Sequence, residues 1–339
     1  MRYLTPLPIA LLLTLVAACG DGGLPSEESP AVLVGEPPLL ASPTRTPDPT
    51  AAPTPSPTPA PTRQPQLVSL SWLGGGTAVP GLDSGITPPA LDPGLQTAIN
   101  GALAGFTGKA SVVVHNLADG RYAATAESES YYAASTFKAG VLLEAYRQRD
   151  AGTLDFAKEV VVEEKYVMDD LGTLEYLEIA VNDRVTIADA VRGMIVVSDT
   201  PLANLMIDEV GSNNVDATIR SVGANTMTVN DRGLPTTALD MTQLMTAIAA
   251  GQGVTTASRD EMLSLLAREW FTEGVMAGVP SGTTLAHKSG NFSGATHDAA
   301  IVWGPDGPYA ITVLTDGSGS WAPIAAVSSA VWQYFESTP

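Results

Sequence analysis

The sequence predicts a domain of the α+β class, in which one antiparallel sheet is built from both ends of the domain and a helical subdomain is inserted between them. Two observations support this prediction. Strand-like segments lie near the start and the end of the folded region, at 111–125 and 299–315, whereas residues 135–270 repeat apolar side chains at helical spacing. Strands that enclose a helical middle are most simply joined in one sheet, with terminal helices packed on it.

The N-terminal elements of this domain follow from local signals. Asp92 and Pro93 are typical of a helix N-cap and first position, and an amphipathic segment runs from them to about Phe106. A strand, a hairpin turn and a returning strand are then predicted at Ser111–His115, Asp119-Gly120 and Arg121–Thr125.

The middle of the domain is predicted to be helical. Phe137, Val141, Leu142 and Tyr146 recur at steps of three and four residues, which indicates a helix from about residue 135. The same period recurs in five later segments, at 186–197, 200–209, 212–221, 237–250 and 256–269. A last hairpin and a closing helix are predicted at 299–303, 309–315 and 323–335.

The first 86 residues lack such periodicity and fall into two parts. Residues 1–18 hold one basic residue, Arg2, and an apolar run too short to span a bilayer, which predicts a removable export signal. Residues 19–86 are rich in Pro, Thr, Ser and Ala, a composition that favours extended chain over a packed core. We therefore expect a flexible tether there and place the folded domain at residues 87–339.

The only cysteine of the chain lies directly after the apolar run. Val16-Ala17-Ala18-Cys19 resembles the lipobox of bacterial lipoproteins, in which the cysteine becomes the lipidated N-terminus. The resemblance implies an exported protein that a lipid on Cys19 anchors to the bacterial cell membrane, facing the outside of the cytoplasmic membrane. An ordinary secretory signal with an incidental cysteine is the alternative.

Composition and absent motifs narrow the function classes. The formal net charge is −19 and no basic run occurs, so nucleic acid is not expected as a partner. The sequence lacks G-x-S-x-G, H-E-x-x-H and paired C-x-x-C, which argues against an α/β-hydrolase, a zincin and a cysteine-ligated zinc site. We expect a monomer with no metal and no organic cofactor.

Three short motifs carry the candidate chemistry. Ser135-Thr136-Phe137-Lys138 lies where the pattern changes from strand to helix, and residues three apart share one helical face, so the serine hydroxyl and the lysine amine can meet. A lysine takes a proton from serine only when it is neutral, which burial favours. Ser198-Asp199-Thr200 and His287-Lys288-Ser289-Gly290 follow in order. We expect Asp199 to fix its loop, because buried carboxylates usually cap helices or form pairs.

Together these motifs resemble the S-x-x-K, S-D-N and K-[ST]-G motifs of class A β-lactamases and penicillin-binding proteins. The resemblance extends over about residues 90–337 and includes Met194–Leu205 and Gly304–Gly307. It implies the class A β-lactamase and DD-peptidase-like fold, in which terminal helices flank the sheet and the helical subdomain is inserted. It also implies a penicillin-recognising serine hydrolase.

The resemblance assigns roles residue by residue. Ser135 would attack a carbonyl carbon to form an acyl-enzyme, and Lys138 would accept its proton. Ser198 would pass a proton to the leaving nitrogen, while Lys288 would direct positive charge toward a substrate carboxylate and help to hold Ser198. The backbone N–H groups of Ser135 and Asn291 would form the oxyanion hole. The remaining substrate contacts are assigned to Thr200, Ser289, Gly290 and His297.

Three features depart from the family's pattern. Thr200 stands where the family usually has asparagine, and its hydroxyl has a shorter reach than an amide. His297 falls about where class A enzymes often place an arginine that meets the substrate carboxylate, and it is either such an anchor or a plain strand residue. No glutamate occurs between Glu209 and Glu261, although class A enzymes carry their water-activating glutamate in the corresponding loop. Asp231 either replaces it as the deacylation base or only forms a turn.

Three functions remain open from the sequence. The best single prediction is β-lactamase-type hydrolysis of β-lactams with slow deacylation. The alternatives are a D-alanyl peptidase or esterase of the cell envelope, and a surface lipoprotein that keeps the fold as a non-catalytic binding module. Retention of Ser135, Lys138, Ser198 and Lys288 argues against the binding module. The expected partner is thus a small molecule, a β-lactam or a D-alanyl peptide.

Overall fold

The computed structural model describes residues 63–75, 78–82 and 85–338. The helices in these ranges are α1 Pro93–Ala102, α2 Lys138–Asp150, α3 Thr173–Tyr176, α4 Ile187–Val196, α5 Thr200–Val210, α6 Ser212–Ser221, α7 Ala238–Ala249, α8 Thr256–Leu266 and α9 Ala322–Ser337. The strands are β1 Ala90–Leu91, β2 Lys109–Asn116, β3 Arg121–Thr125, β4 Tyr131–Tyr132, β5 Glu159–Val161, β6 Arg184–Thr186, β7 Pro235–Thr236, β8 Leu285–Phe292, β9 Ala295–Gly304 and β10 Gly307–Asp316. The predicted signal at 1–18 and Cys19 lie outside the described residues.

One six-stranded sheet joins the two ends of the domain, as predicted. Its strand order is β1-β3-β2-β10-β9-β8, so the N-terminal hairpin β2–β3 lies directly beside the C-terminal strands. Pairing is antiparallel throughout except between β1 and β3, which run parallel. Strand β8, which carries the third motif, lies at one edge of the sheet, so one side of its backbone is free to meet other groups.

The sheet is covered on both faces. On one face α1 and α9 pack against the strands through a cluster that includes Leu95, Ile99, Val331 and Phe335. On the other face lies the helical part of the domain, with its own larger cluster. Helix α2 is at the centre of that cluster, because every residue from 138 to 146 is buried. The nucleophile motif therefore begins a core helix whose position is fixed by packing on all sides.

Four of the middle helices begin directly after a residue whose side chain caps the first turn. Side-chain oxygens of Thr186, Asp199, Thr237 and Thr255 each accept a backbone N–H from the first turn of α4, α5, α7 and α8. These helices lie within one to three residues of the predicted segments. Helix α1 ends earlier than predicted, at Ala102, and the chain then turns through Gly105 with φ +87°.

Two regions differ from the prediction. The segment between α2 and α4 contains a small antiparallel sheet of β5 and β6, with the short helix α3 between the two strands, which no sequence pattern indicated. The folded unit also begins before residue 87, because Leu70 and Leu73 are buried in the core and Arg63 pairs with Asp183 at 2.5 Å. The predicted tether boundary at 86 is therefore too late. None of the described helices combines the length and the hydropathy that crossing a bilayer requires.

Candidate active site

Ser135 lies in a tight turn that leads directly into the core helix α2. A single 3-10 turn spans Ala134–Phe137, and Ala134 adopts a left-handed conformation with φ +47°. Lys138 is the first residue of α2, and its Nζ lies 2.9 Å from Ser135 Oγ. The sequence prediction that this hydroxyl and this amine meet is consistent with that distance, which is a hydrogen bond between the candidate nucleophile and a candidate base.

Lys138 is fully buried and surrounded by oxygen atoms. Besides Ser135, its Nζ lies 2.6 Å from the carbonyl oxygen of Ser198, 3.4 Å from Ser198 Oγ and 3.2 Å from Thr200 Oγ1. Burial lowers the pKa of Lys138 to about 7, and the nearby charge of Lys288 adds to this effect. At neutral pH a large fraction of the amine is therefore uncharged, and an uncharged amine can accept the proton of Ser135.

The second motif forms the loop between α4 and α5. Ser198 has φ +59°, a left-handed conformation that costs free energy in a non-glycine residue and so needs support from its surroundings. Asp199 provides part of that support, since its carboxylate accepts Leu202 N at 2.6 Å and Thr173 Oγ1 at 2.5 Å. Asp199 is fully buried, and burial raises its pKa despite these hydrogen bonds. Its contacts are those of the helix cap expected from the sequence.

The third motif brings the edge strand β8 against the nucleophile turn. A Cβ atom at Gly290 would meet Ser135 N at 2.9 Å and Ala133 O at 3.0 Å, so only glycine allows this approach. Ser289 N points away from the sheet, where it donates to a side chain. Asn291, two residues further on, presents its N–H at the same edge. Ser135 and Asn291 line one cavity, which fits the expected oxyanion hole.

Glu269 was not anticipated from the sequence. It lies just after α8 and is 2% exposed. Its carboxylate accepts three donors of the third motif, namely Lys288 Nζ through a short ion pair, Ser289 Oγ at 2.8 Å and Ser289 N at 2.7 Å. Residue 269 lies outside the span 210–260, where the family resemblance implies a glutamate, and nothing in the local pattern marks it as a partner of β8. The contact depends on the folding of α8 against β8.

Lys288 and Ser289 are therefore placed differently from the sequence-based expectation. Lys288 is fully buried, and its Nζ donates to Glu269 and to Ser289 O, with no hydrogen bond to Ser198 in the part of the chain that the structure describes. The only side-chain proton of Ser289 is directed at Glu269. Both side chains thus face a buried carboxylate instead of open space. Their expected contacts with a substrate carboxylate are not available in this arrangement.

For His297 the structure favours the second of the two interpretations, a plain strand residue. Its Nδ1 accepts the backbone N–H of Thr315 at 3.2 Å, so the ring proton lies on Nε2, which donates to Tyr132 O at 2.8 Å. Burial lowers the pKa of His297 and keeps the ring neutral. The side chain is fully buried with both nitrogens occupied. His297 thus links β9 to β4, just before the nucleophile turn, and in this arrangement neither ring nitrogen is left for a substrate carboxylate.

A cavity of about 610 Å³ opens beside Ser135. Its polar lining comes from Asp170, Thr200, Asn204, Asn230, Asp231, Arg232 and Asn291. Its apolar lining includes Tyr132, Leu171, Leu234 and Phe292, and the rings of Tyr132 and Phe292 are 5.6 Å apart. Of the polar residues, Asp170, Asn204, Asn230 and Arg232 were not expected from the sequence. The cavity is large enough for a small acyl compound and combines an apolar rim with hydrogen-bonding groups.

The carboxylates near the nucleophile come from two loops. Asp231 is exposed, and its Oδ1 accepts Gly233 N at 2.8 Å, which is the turn contact foreseen as its alternative role. Asp170 caps its own loop by accepting Gly172 N at 3.1 Å. No glutamate lines this cavity within the described residues. In the same ranges, no group of three histidine, cysteine or acidic side chains is placed to hold a metal ion.

Comparisons with known proteins give a matching family and solved structures of the same fold. The profile of the "Beta-lactamase enzyme family" matches residues 94–335. Among solved structures, PBP-A is 24% identical with a TM-score of 0.70, and the match covers 74% of this chain and 99% of that chain. A PBP-A mutant, solved as an acyl-enzyme complex with penicillin G, has the same identity and TM-score, and the match covers 74% of this chain and 100% of that chain.

Enzymes described as β-lactamases share the fold too. One from Sphaerobacter thermophilus is 23% identical with a TM-score of 0.65, covering 73% of this chain and 98% of that chain. An ancestral class A β-lactamase is 24% identical with a TM-score of 0.64, covering 70% and 99%. No curated protein sequence matches the chain. The structural likeness shows a common fold, and the profile match spans most of the domain.

Proposed function

The chain belongs to the beta-lactamase enzyme family, and from this premise we propose that it is a serine hydrolase that forms an acyl-enzyme on Ser135, with β-lactams as the best single substrate class. One observation carries the proposal. The Nζ of Lys138, an amine with a pKa of about 7, lies 2.9 Å from Ser135 Oγ. A buried, partly neutral lysine in contact with a serine hydroxyl is what activates that hydroxyl as a nucleophile.

Acylation can be derived from these contacts. The Oγ of Ser135 forms a bond to the carbonyl carbon while its proton passes to Lys138 Nζ. The carbonyl oxygen gains negative charge, which the N–H groups of Ser135 and Asn291 stabilise. Collapse breaks the bond from carbon to the leaving nitrogen, which takes a proton from Ser198 Oγ, and Lys138 returns the proton to Ser198. The 3.4 Å separation of Lys138 Nζ and Ser198 Oγ supports this relay.

Lys288 and Gly290 contribute to acylation indirectly in this proposal. The charge of Lys288 lowers the pKa of Lys138, so it keeps the base partly neutral. Gly290 allows the edge strand to approach Ser135 closely enough for two backbone N–H groups to face one oxygen. Thr200 lines the cavity and contacts Lys138, so its hydroxyl is the proposed polar contact for the acyl side of a substrate.

Deacylation is proposed to be the slow step. A hydrolytic water needs a positioned base, and within the described residues the cavity offers only the carboxylates of Asp170 and Asp231. Of these, Asp231 is the proposed base, because its carboxylate accepts a single hydrogen bond, from Gly233 N, whereas Asp170 Oδ1 accepts four from residues 172–174. Slow release would also suit the second candidate, a D-alanyl peptidase or esterase of the cell envelope. The capture of a PBP-A mutant as a penicillin G acyl-enzyme supports a stable intermediate on this fold.

Labelling tests the proposal directly. Ser135→Ala should abolish covalent labelling by penicillin and by a fluorophosphonate, as seen by intact-mass measurement and peptide mapping. Ser281→Ala removes an exposed serine outside the cavity and serves as the matched control, which should label like the parent protein. A label that maps to Ser198 or Ser289, or that persists in Ser135→Ala, would show that the nucleophile is assigned wrongly.

A further inference from the structure

The cavity beside Ser135 faces the acyl part of a substrate. In the proposed acylation Ser198 protonates the leaving nitrogen, so the leaving group lies on the side of Ser198. Within the described residues, Ser198 does not line the cavity of about 610 Å³, and neither do Lys288 and Ser289 of the third motif. The part of the substrate that this cavity can hold is therefore the part that stays on Ser135 as the acyl group.

Arg232 is the one cation among the residues that line the cavity in the described part of the chain. Its side chain is exposed, and within the described ranges its guanidinium takes part in no hydrogen bond or ion pair, even with its neighbour Asp231. A guanidinium presents its N–H donors as a planar fork, which binds a carboxylate through two parallel hydrogen bonds. The cavity thus offers an unused cationic donor to an anionic group.

The backbone holds Arg232 in place beside the nucleophile. Leu234 N donates to Asp231 O at 2.9 Å, which closes a tight turn with Arg232 at its tip. Ala133 N donates to Leu234 O at 2.8 Å, and the next residues form β7, which pairs with β4. The turn is thereby fixed to the chain that leads into Ser135. Binding of an anion then has to order the side chain of Arg232 alone, which keeps the entropic cost small.

The two carboxylates of the cavity do not neutralise Arg232 by contact. Asp170 Oδ1 accepts four hydrogen bonds from residues 172–174, and Asp231 Oδ1 accepts Gly233 N, so both are directed at their own loops. An anion in contact with Arg232 is attracted at hydrogen-bond distance, whereas repulsion from carboxylates farther away is weakened by water and salt. The contact with Arg232 therefore decides the preference.

We propose that Arg232 binds an anionic group on the acyl part of the substrate, so that the site prefers β-lactams or acyl peptides with a carboxylate on the acyl side chain. The inference rests on the proposed function, because it concerns the substrate of the same nucleophile. Arg232 selects the substrate through binding and takes no part in proton transfer. The carboxylate on the fused ring of a penicillin is a separate group, since it lies on the side of the leaving nitrogen.

Two penicillins that differ in one group test this proposal. Carbenicillin is benzylpenicillin with a carboxylate added to the side-chain carbon next to the amide carbonyl. Both react in the same step, in which Ser135 Oγ bonds to the lactam carbonyl carbon, the lactam C–N bond breaks and the nitrogen takes a proton. The second-order rate constant of acylation is measured for each by intact mass after rapid quenching. Comparison of the carbenicillin to benzylpenicillin ratio between protein variants cancels the intrinsic reactivities of the two compounds.

We expect Arg232→Gln to lower this ratio by about fivefold, the size of effect that a bidentate ion pair at an exposed position has. Raising the salt concentration to about 1 M should lower the ratio in the parent protein too, because salt screens the pair. Arg184→Gln removes the same charge from an exposed position on β6, outside the cavity, and should leave the ratio unchanged.

The possible results separate the two proposals. An unchanged ratio in Arg232→Gln, or an equal fall in Arg184→Gln, would overturn the inference and leave the acyl-enzyme proposal standing. If neither penicillin leaves an adduct on Ser135 in the parent protein, the proposed function fails, and this inference with it.

Discussion

At the scale of single residues, the account depends on how the surroundings of Lys138 set its pKa. A lysine in water is charged at neutral pH and cannot act as a base. Full burial and the neighbouring charge of Lys288 lower the pKa of Lys138 to about 7, while the charges of Asp199 and Glu269 act in the opposite direction. The site therefore keeps a partly neutral amine in contact with a serine hydroxyl.

The pH dependence of acylation follows from this pKa. Because the neutral amine is the active form, the rate of labelling by an uncharged fluorophosphonate should rise as the pH rises through about 7 and should level off about one unit above it. Lys288→Gln removes a positive charge that lowers the pKa, so the rising limb should move to higher pH. A rate that is flat between about pH 5.5 and 9 would contradict the role of Lys138 as the base.

Asp231 gives a second test at this scale. Asparagine keeps the turn contact with Gly233 but cannot accept a proton. Asp231→Asn therefore removes the candidate base while it preserves the loop conformation. We expect the steady rate of hydrolysis to fall by about 10²-fold or more while the acylation rate is unchanged. Asp170→Asn, measured in parallel, compares the other cavity carboxylate. An unchanged steady rate in Asp231→Asn would mean that Asp231 only forms a turn.

At the scale of secondary-structure elements, the site depends on the contact between the edge strand β8 and the turn before α2. Gly290 permits this contact because a Cβ atom there would lie 2.9 Å from Ser135 N. We expect Gly290→Ala to lower the acylation rate by about 10²-fold, since displacing a reacting group by a fraction of an ångström to one ångström has effects of this size.

The control for Gly290 is Gly101→Ala in α1. A Cβ atom at Gly101 would meet nothing within 4 Å, and alanine is favoured over glycine in helices, so activity should be kept and stability slightly raised. Circular dichroism and thermal unfolding of both variants separate a local change at the site from a loss of fold. Unchanged acylation in Gly290→Ala would contradict the proposed oxyanion geometry.

Helices could be predicted from local sequence signals, whereas contacts between distant parts of the chain could not. Helices α4 to α8 were predicted because apolar periodicity is a local signal, and the structure adds the caps at Thr186 and Thr237. Glu269 was missed because its role depends on contacts with Lys288 and Ser289, which only the packed fold brings together. Leu70 and Leu73 were assigned to the tether because the Pro- and Thr-rich composition of the stretch predicts extended chain. Both residues are nevertheless buried in the core.

At the scale of the whole molecule, the candidate site is assembled from distant parts of the chain. Ser135 lies at the start of a core helix, Ser198 between two helices, Asp231 in a loop and Asn291 on the edge strand of a sheet built from both ends of the domain. The three motifs could be recognised from the sequence, because each is short and their order is fixed. The hydrogen-bond partners of Lys288, Ser289 and His297 could not be predicted, because they depend on how distant parts of the chain pack together.

The anchoring of the molecule is a separate prediction that rests on the sequence alone. We propose that Cys19 is lipidated and holds the mature, monomeric protein outside the cytoplasmic membrane, on the basis of Val16-Ala17-Ala18-Cys19 and the proline-rich stretch that follows. Cys19→Ser should release or mislocalise the protein in membrane fractionation, whereas the Ser281→Ala protein should stay with the membrane. Equal membrane association of the two variants would rule out this anchor.

The most direct test of the central claim is rapid mixing of the protein with a chromogenic cephalosporin. The nucleophile Ser135 and its base Lys138 lie in hydrogen-bond contact, as acylation requires. Within the described residues, however, no glutamate lines the cavity to activate water for deacylation. The account therefore predicts a burst of about one equivalent per protein, followed by a slow steady rate, with an acyl adduct on Ser135 in the intact mass. Fast, linear turnover with no burst and no adduct would contradict it and would indicate an efficient deacylation base elsewhere in the chain.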